Sequence, residues 1–511
     1  MPRGAAPANY VCVAAAPRLR RAWWLAPCAV YAALLAAHAP LLRLPYYWDE
    51  AGYFIPAALD LSRHGWWIPR STLANGHPPL VLAVLALAWH LAVYSPLVTR
   101  ATMLLFAAAL VWGAERLGRE LYPESGGAGA ALAALLLAIH PLCFAQATLA
   151  QLDLPAAAFI VWALVARARR RPAAYVFCIT AAVLAKETAL IVPAALAALD
   201  LARAWSGGAR RAVAAVAPQL VPALALALWL AYFHAATGYW MGNAGFLQFN
   251  LSGVLSLPRF AMALYLRVWQ LAGYEGMLLL TALAIWGWRR SPTPPAGRDR
   301  RREAAVIIAV YLVFHAAIGG AELARYLLPA LALYLALAAP CLLRVPRRGL
   351  AVLACATLFI AGWFWRPPYP FPYEDNLAYA TFVRLHRQAA AYLERQAPTA
   401  PVLTAWPATN ELANPDLGYV KHSLPVAAVE NFTPAGLAGV IPAAGQPVLL
   451  YSREYRPRHN WLRWLPFWRR WSRRYFHHQA PVGPQELLER WQLHIEFRAA
   501  AHGQWIIIAR R

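Results

Sequence analysis

Charge is what this chain has least of. Only 14% of its 511 residues are charged and 61% are hydrophobic, whereas a soluble domain carries about 25% charged residues. Mean hydropathy is +0.43. Too little polar surface remains to cover a water-soluble globule, so the chain must use lipid as its solvent. Acidic residues are scarcer still, 23 against 47 basic ones, and nearly all of the latter are arginine. A net charge of +24 ordinarily raises nucleic-acid binding. Here most basic clusters separate apolar segments, as cytoplasmic loops do, so no nucleic-acid partner is expected. The six cysteines include no CxxC pair, which argues against a zinc site or a disulfide framework. No internal repeat is visible either, a feature expected of many transporters.

What is there is a succession of apolar runs long enough to cross a bilayer, about 20 residues each. Eleven are read as spans: 23–44, 97–114, 128–149, 154–166, 172–185, 188–201, 213–234, 271–288, 304–320, 326–343 and 350–365. The first follows Arg18, Arg20 and Arg21 and is too long for a signal peptide, so it is read as an uncleaved helix. With eleven crossings every inter-span arginine cluster falls on one side, which places the arm 1–22 in the cytoplasm and the C-terminal region outside. The apolar stretch 79–93 would invert this pattern as a crossing, so it is expected to form a juxtamembrane or re-entrant helix in the first external loop, 45–96. After the membrane part, 23–366, comes a proline-rich linker of Pro367, Pro368, Pro370 and Pro372. The remainder of 367–511 reads as a small extracytoplasmic α/β domain, with strands near 401–404, 448–451 and 505–509 and helices near 379–395 and 484–491.

The few acidic residues gather at one face. Asp49 and Glu50 follow the first span, Asp153 sits in the second external loop, Lys186 and Glu187 form the next external turn, and Glu322 and Arg325 precede the tenth span. Ionisable groups at the edge of the hydrocarbon are costly and usually functional. Each alone has a structural reading: a solvated helix start for Asp49 and Glu50, a helix cap for Asp153, a mutual ion pair for Lys186 and Glu187, an interfacial anchor for Arg325. Their convergence favours a site.

Those residues carry a resemblance. Trp48-Asp49-Glu50-Ala51, His77-Pro78-Pro79-Leu80, Ala150-Gln151-Leu152-Asp153, Lys186, and Arg325-Tyr326-Leu327-Leu328-Pro329 together resemble the family 39 glycosyltransferases, in order and in topology, over 23 to about 365. That family comprises GT-C-fold enzymes, among them protein O-mannosyltransferases and the bacterial aminoarabinose transferases of lipid A. The resemblance implies a fold of about eleven transmembrane helices. It also implies transfer of a sugar from a polyprenyl-phosphate donor to a lipid, glycan or protein acceptor on the external face. Asp49 would be the catalytic base with Glu50 beside it, and Asp153 the second acid near the reaction centre. Lys186, Arg325, His77 and Tyr326 would hold the donor phosphate, with Glu187 and Glu322 as accessory groups. Two positions depart from the pattern: His77 stands where many bacterial members have Lys, and Glu187-Thr188 follows Lys186 where the aminoarabinose branch commonly has Gly-Pro. The second departure counts against that substrate.

The chemistry read from the residues agrees. A carboxylate in hydrogen-bond reach can take the proton of an attacking hydroxyl, and a phosphate leaving group asks for positive charge. A single-displacement, inverting transfer is expected; the residues identify no cofactor and leave a divalent metal ion open. The alternatives are a transporter or flippase of a lipid-linked anionic substrate, or a non-catalytic envelope assembly factor. A composition rich in Ala, Arg and Pro points to a GC-rich bacterial genome, and so to the inner membrane with the site facing the periplasm. In the C-terminal region, 453–478 interleaves Trp461, Trp464, Trp468 and Trp471 with Arg463, Arg469, Arg470, Arg473 and Arg474, a pattern suited to anionic lipid or an acidic glycolipid; Pro466 is expected to kink it. Tyr373-Glu374-Asp375 and Asn414-Pro415-Asp416 read as ordinary turns.

Overall fold

A computed structural model describes residues 25–125, 127–242, 256–290, 295–318, 320–457, 466–476 and 479–511. All eleven expected spans are helical within those residues, in a mostly helical membrane protein. Among the described residues five helices are long and apolar enough to cross a membrane: Pro96–Leu121, Glu187–Gly207, Ala209–Thr237, Leu257–Arg290 and Ala324–Leu342. Shorter apolar helices, including Leu25–Leu41, Ala128–Ile139, Pro172–Ala185 and Arg348–Gly362, fill in between them. Several begin on proline, as at Pro96, Pro141 and Pro172, where the missing N–H is no loss. Ser95 caps the helix Pro96–Leu121, its side chain accepting from Val98 N at 3.3 Å. Small residues let helices approach closely, Gly118 lying on Ala130 and Gly129 on Pro340.

Two boundaries matter for the site. The segment 172–201 breaks at Lys186, whose extended backbone ends one helix before the turn Glu187–Leu190 starts the next. The eighth span begins earlier than its apolar run implies: a helix Leu257–Ala272 precedes it, and a kink at Glu275 and Gly276, both at positive φ, separates this from Met277–Arg290. Arg259 and Arg267 hid that first half from a reading based on hydropathy, yet both are buried.

The arginine clusters meet at one end of the bundle. Arg167 pairs with Asp200 at 2.6 Å and with Glu303 at 3.3 Å, Arg203 reaches Glu303 at 2.6 Å, and Arg169 and Arg300 share Glu120 at 2.9 Å each. Asp153, Lys186 and Arg325 lie at the opposite ends of their helices.

The C-terminal sheet has five strands, β1 Val402–Ala405, β2 Val426–Val429, β3 Pro447–Tyr451, β4 His494–Ala501 and β5 Gln504–Arg510, in the order β2-β1-β3-β5-β4. β1 runs parallel to β2 and β3, while β5 is antiparallel to β3 and β4. β1 and β3 are buried throughout, as continuous apolar runs at a sheet centre should be. The helix Ala378–Gln396 packs on β4 and β5, and its Phe382 meets Tyr47 of the first external loop edge to face, ring centroids 5.4 Å apart. That loop and the sheet thus share one apolar core, which also holds Tyr46, Phe54 and Leu450. The helix Leu80–Leu91, expected as juxtamembrane, is present.

Candidate active site

Asp49 follows Trp48, a bulky residue held at φ +46 where few side chains are tolerated. A single turn of π-helix, Glu50–Phe54, comes next. Such turns recur at functional sites. Glu50 pins this corner from behind. Its carboxylate accepts from Tyr47 N at 2.8 Å and Ala150 N at 2.6 Å and faces Arg100 Nη1 at 3.5 Å. Arg100, wholly buried, also donates to the carbonyls of Leu44, Pro45 and Thr148. Glu50 therefore turns away from the cavity and ties the Asp49 loop to the segment that carries Asp153. Backbone donors and Arg100 use its oxygens, which places Glu50 as an anchor of this corner.

Asp49 faces the other way. Its Oδ2 accepts from Arg325 Nη2 at 2.5 Å, and Oδ1 has no hydrogen bond among the described residues. Arg325 gathers two more carboxylates: Glu374 Oε2 accepts from Nη1 at 2.8 Å, and Asp153 Oδ2 lies 3.6 Å from Nε. Lys186 pairs with Asp153 and sets its ammonium 4.1 Å above the ring of Tyr326. The alternative pairing of Lys186 with its neighbour does not form, since Glu187 Oε2 accepts from His77 Nδ1 at 2.8 Å instead. Glu322 stands further back, held by Arg267 at 2.8 Å and Arg259 at 3.7 Å. Asp49, Asp153, Lys186, Arg325, His77, Tyr326 and Glu187 all line one cavity of about 1630 Å³, and Glu50 and Glu322 do not.

Three titratable residues that line the cavity beside this cluster were not among the site residues expected from the sequence. Arg267 sits with its guanidinium 5.9 Å from the Tyr326 ring centre, and His315 stacks on the same ring at 5.9 Å. An arginine and a histidine set within apolar stretches of their helices were the signal available for them. Glu374 is the third. The turn expected at Tyr373-Glu374-Asp375 is present and is buried against the membrane part. Burial pushes Glu374 up to about 8, with Arg325 opposing and Asp49 adding to the rise. Burial likewise pushes Asp375 up to about 7, and its Oδ2 accepts from Tyr274 Oη at 2.8 Å. The other supposed turn, at Asp416, carries a surface pair with Arg63 at 2.7 Å.

Away from these charges the cavity is apolar on the membrane side, where Leu190, Leu226, Leu230 and Phe314 line it. On the side of the sheet it is aromatic and basic, with Trp406, Tyr451, Arg453 and Trp505. Arg453 lies over Trp48 at 5.3 Å. Among the described residues no group of three His, Cys, Asp or Glu side chains is arranged to hold a metal ion. Asp49 and Asp153 are paired with Arg325 and Lys186 instead.

The architecture is that of the GT-C membrane proteins, as the motifs implied. ArnT from Cupriavidus metallidurans, in a crystal structure bound to undecaprenyl phosphate, aligns with 95% of this chain and 98% of its own at a TM-score of 0.56 and 14% identity. The apo crystal structure of the same protein aligns with 96% and 98% at a TM-score of 0.54 and 13% identity. No protein-family model matches the chain, and no curated protein matches it in sequence. The family 39 resemblance of the motifs therefore has no counterpart in those two sequence comparisons.

Proposed function

We propose that this protein is a membrane glycosyltransferase that moves a sugar from a polyprenyl-phosphate donor to an acceptor hydroxyl or phosphate at the external face, with inversion. We place it in the inner membrane of a bacterial cell, with the site and the C-terminal sheet in the periplasm. One observation carries the reading: two carboxylates and three cations, Asp49, Asp153, Lys186, Arg267 and Arg325, line one cavity whose membrane side is apolar. That combination suits a ligand with a greasy tail and an anionic head. The solved ArnT structure with undecaprenyl phosphate supplies a protein of the same fold that binds such a lipid. A volume of about 1630 Å³ exceeds the roughly 300–1,000 Å³ of ordinary small-molecule pockets, leaving space for donor headgroup and acceptor together.

In this reading the apolar wall takes the first isoprene units, and Lys186, Arg267 and Arg325 hold the phosphate. The phosphate competes with Asp49 for Arg325, so binding the donor releases the base. Asp49 then takes the acceptor's proton as its oxygen attacks the anomeric carbon. The bond from that carbon to the phosphate oxygen breaks, and the electron pair stays on the phosphate, where the cations stabilise it. Asp153 holds Lys186 and Arg325 in position. Tyr326 offers its ring face to three cations and keeps water from them.

The test is mass profiling of envelope glycans and lipids from a deletion strain, complemented with wild type or Asp49→Asn. One sugar increment should vanish on deletion, return with wild type and stay absent with well-expressed Asp49→Asn. Full restoration by Asp49→Asn would remove Asp49 as the base. A product with retained anomeric configuration would remove the single displacement.

A further inference from the structure

The basic aromatic segment takes no part in the reaction proposed above. Trp461, Arg463 and Trp464 lie outside the described residues, but Pro466–Phe476 is a helix. Pro466 is the first described residue of that helix, so the kink expected there lies at the edge of the described residues. Phe467, Trp471 and Tyr475 recur every fourth residue and so share one face. Their rings form a chain, centroids 6.0 Å apart for the first pair and 6.2 Å for the second, and Phe467 and Trp471 remain 51% and 42% exposed. Arg470, Arg473 and Arg474 are exposed as well, and the helix contains no acidic residue. Among the described residues none of these three arginines has a carboxylate partner. A surface this apolar and this basic is uncovered on both counts.

Its position says what covers it. Phe476, at the end of the helix, lies under the guanidinium of Arg259 at 5.4 Å. Arg259 belongs to the helix Leu257–Ala272, whose Leu257, Tyr265 and Val268 are 79%, 62% and 46% exposed and form its lipid-facing side. The bilayer therefore reaches the level of Leu257, within a turn of Arg259, and the basic helix sits at the headgroup layer. Aromatic rings favour that layer, and arginines there are drawn to lipid phosphates. Gln479 and Pro481, just beyond the helix, line the active-site cavity.

We propose that Pro466–Phe476 is an interfacial helix that docks on anionic phospholipid of the surrounding leaflet. Phe467, Trp471 and Tyr475 enter the acyl boundary, and Arg470, Arg473 and Arg474 bind headgroup phosphates. Each arginine near an anionic surface contributes about fivefold in affinity, so three should shift the docked population on the order of 100-fold.

The experiment is hydrogen–deuterium exchange of the full chain in nanodiscs of phosphatidylcholine alone and of phosphatidylcholine with phosphatidylglycerol. The peptide covering 466–476 should exchange on the order of 100-fold more slowly in the anionic discs, while a peptide covering 147–156 stays the same in both. The combined change Arg470→Gln, Arg473→Gln and Arg474→Gln should erase the difference. Trp471→Ala, which leaves the charge intact, should speed exchange in both discs and keep the anionic increment. Equal exchange of wild type in both discs would overturn the proposal. So would an anionic increment that survives loss of the three arginines, or protection that appears only when an acidic glycan is added.

Discussion

Arg325 and Glu374 meet at 2.8 Å, although 49 residues separate them in the chain. One stands at the entrance to a membrane helix, the other on the segment that leads from the last span into the C-terminal sheet. The site is thus closed from both sides, and its charge balance is shared between them. Asp49, Asp153 and Glu374 face Arg325 and Lys186, three potential negative charges against two positive ones. A buried cluster with that surplus relieves it by protonating a carboxylate, and burial pushes Glu374 up to about 8.

Asp49→Asn keeps the shape of the side chain and removes its capacity to accept a proton. Base catalysis of this kind contributes about 10²–10⁴-fold. With purified protein in lipid discs, turnover of a polyprenyl-phosphate sugar should fall by that factor while donor KM does not rise, because Asn competes less with the phosphate for Arg325. A variant with unchanged kcat would show that the proton leaves by another route.

Arg267 tests whether the cation missed by the hydropathy reading serves the phosphate. Arg267→Gln should raise donor KM by about tenfold or more, the value of a charge-assisted hydrogen bond, and affect kcat less. The variant also strips Glu322 of its closer partner. Arg267→Gln/Glu322→Gln removes both charges and should show the same KM defect with stability restored. A defect that the double variant cures would make Arg267 structural.

Much of this could be read along the chain. Run length and arginine clusters marked the helices, because a lipid solvent punishes any other pattern. The site face was legible because its residues sit at helix ends, where Lys186 breaks a long apolar run and Arg325 opens another. What could not be read depends on contacts distant in sequence. Which of the adjacent Asp49 and Glu50 looks into the cavity is decided by Arg100 and Ala150, 50 and 100 residues beyond Glu50. Glu374 resembled a turn residue until the sheet packed the first external loop against it. β2 and β4 are the two edge strands of the sheet and mostly at least partly exposed, so neither stands out along the chain as a buried run.

Glu50 is expected to matter for folding more than for chemistry. Its pair with Arg100 is completely buried, and removing one partner of such a pair costs about 3–5 kcal/mol. Glu50→Ala should lower the melting temperature in detergent and the yield of folded protein. Arg100→Met/Glu50→Leu, which replaces the pair with apolar side chains, should recover part of that loss. If Glu50→Ala instead melts like wild type and loses only kcat, the anchor assignment fails.

Glu374 supplies the pH dependence. Its ordinary value of 4.5 rises to about 8 in the folded protein, so the folded chain holds this proton more tightly than the unfolded one. The stability it contributes is full below about pH 4.5 and is lost as pH rises through about 8. Over the same range the five-group cluster passes from neutral to a single negative charge. One added charge within a few ångströms of the donor phosphate, in a site partly shielded from water, is worth about tenfold in binding. Donor KM should therefore climb through pH 8 in wild type and stay flat in Glu374→Gln, whose melting temperature should also lose the alkaline fall. Measuring KM and melting temperature of both proteins from pH 6 to pH 9 separates this from a change at Asp49, which would appear in kcat. Parallel profiles for the two proteins would mean that Glu374 is ionised throughout, with Arg325 outweighing the cost of its burial.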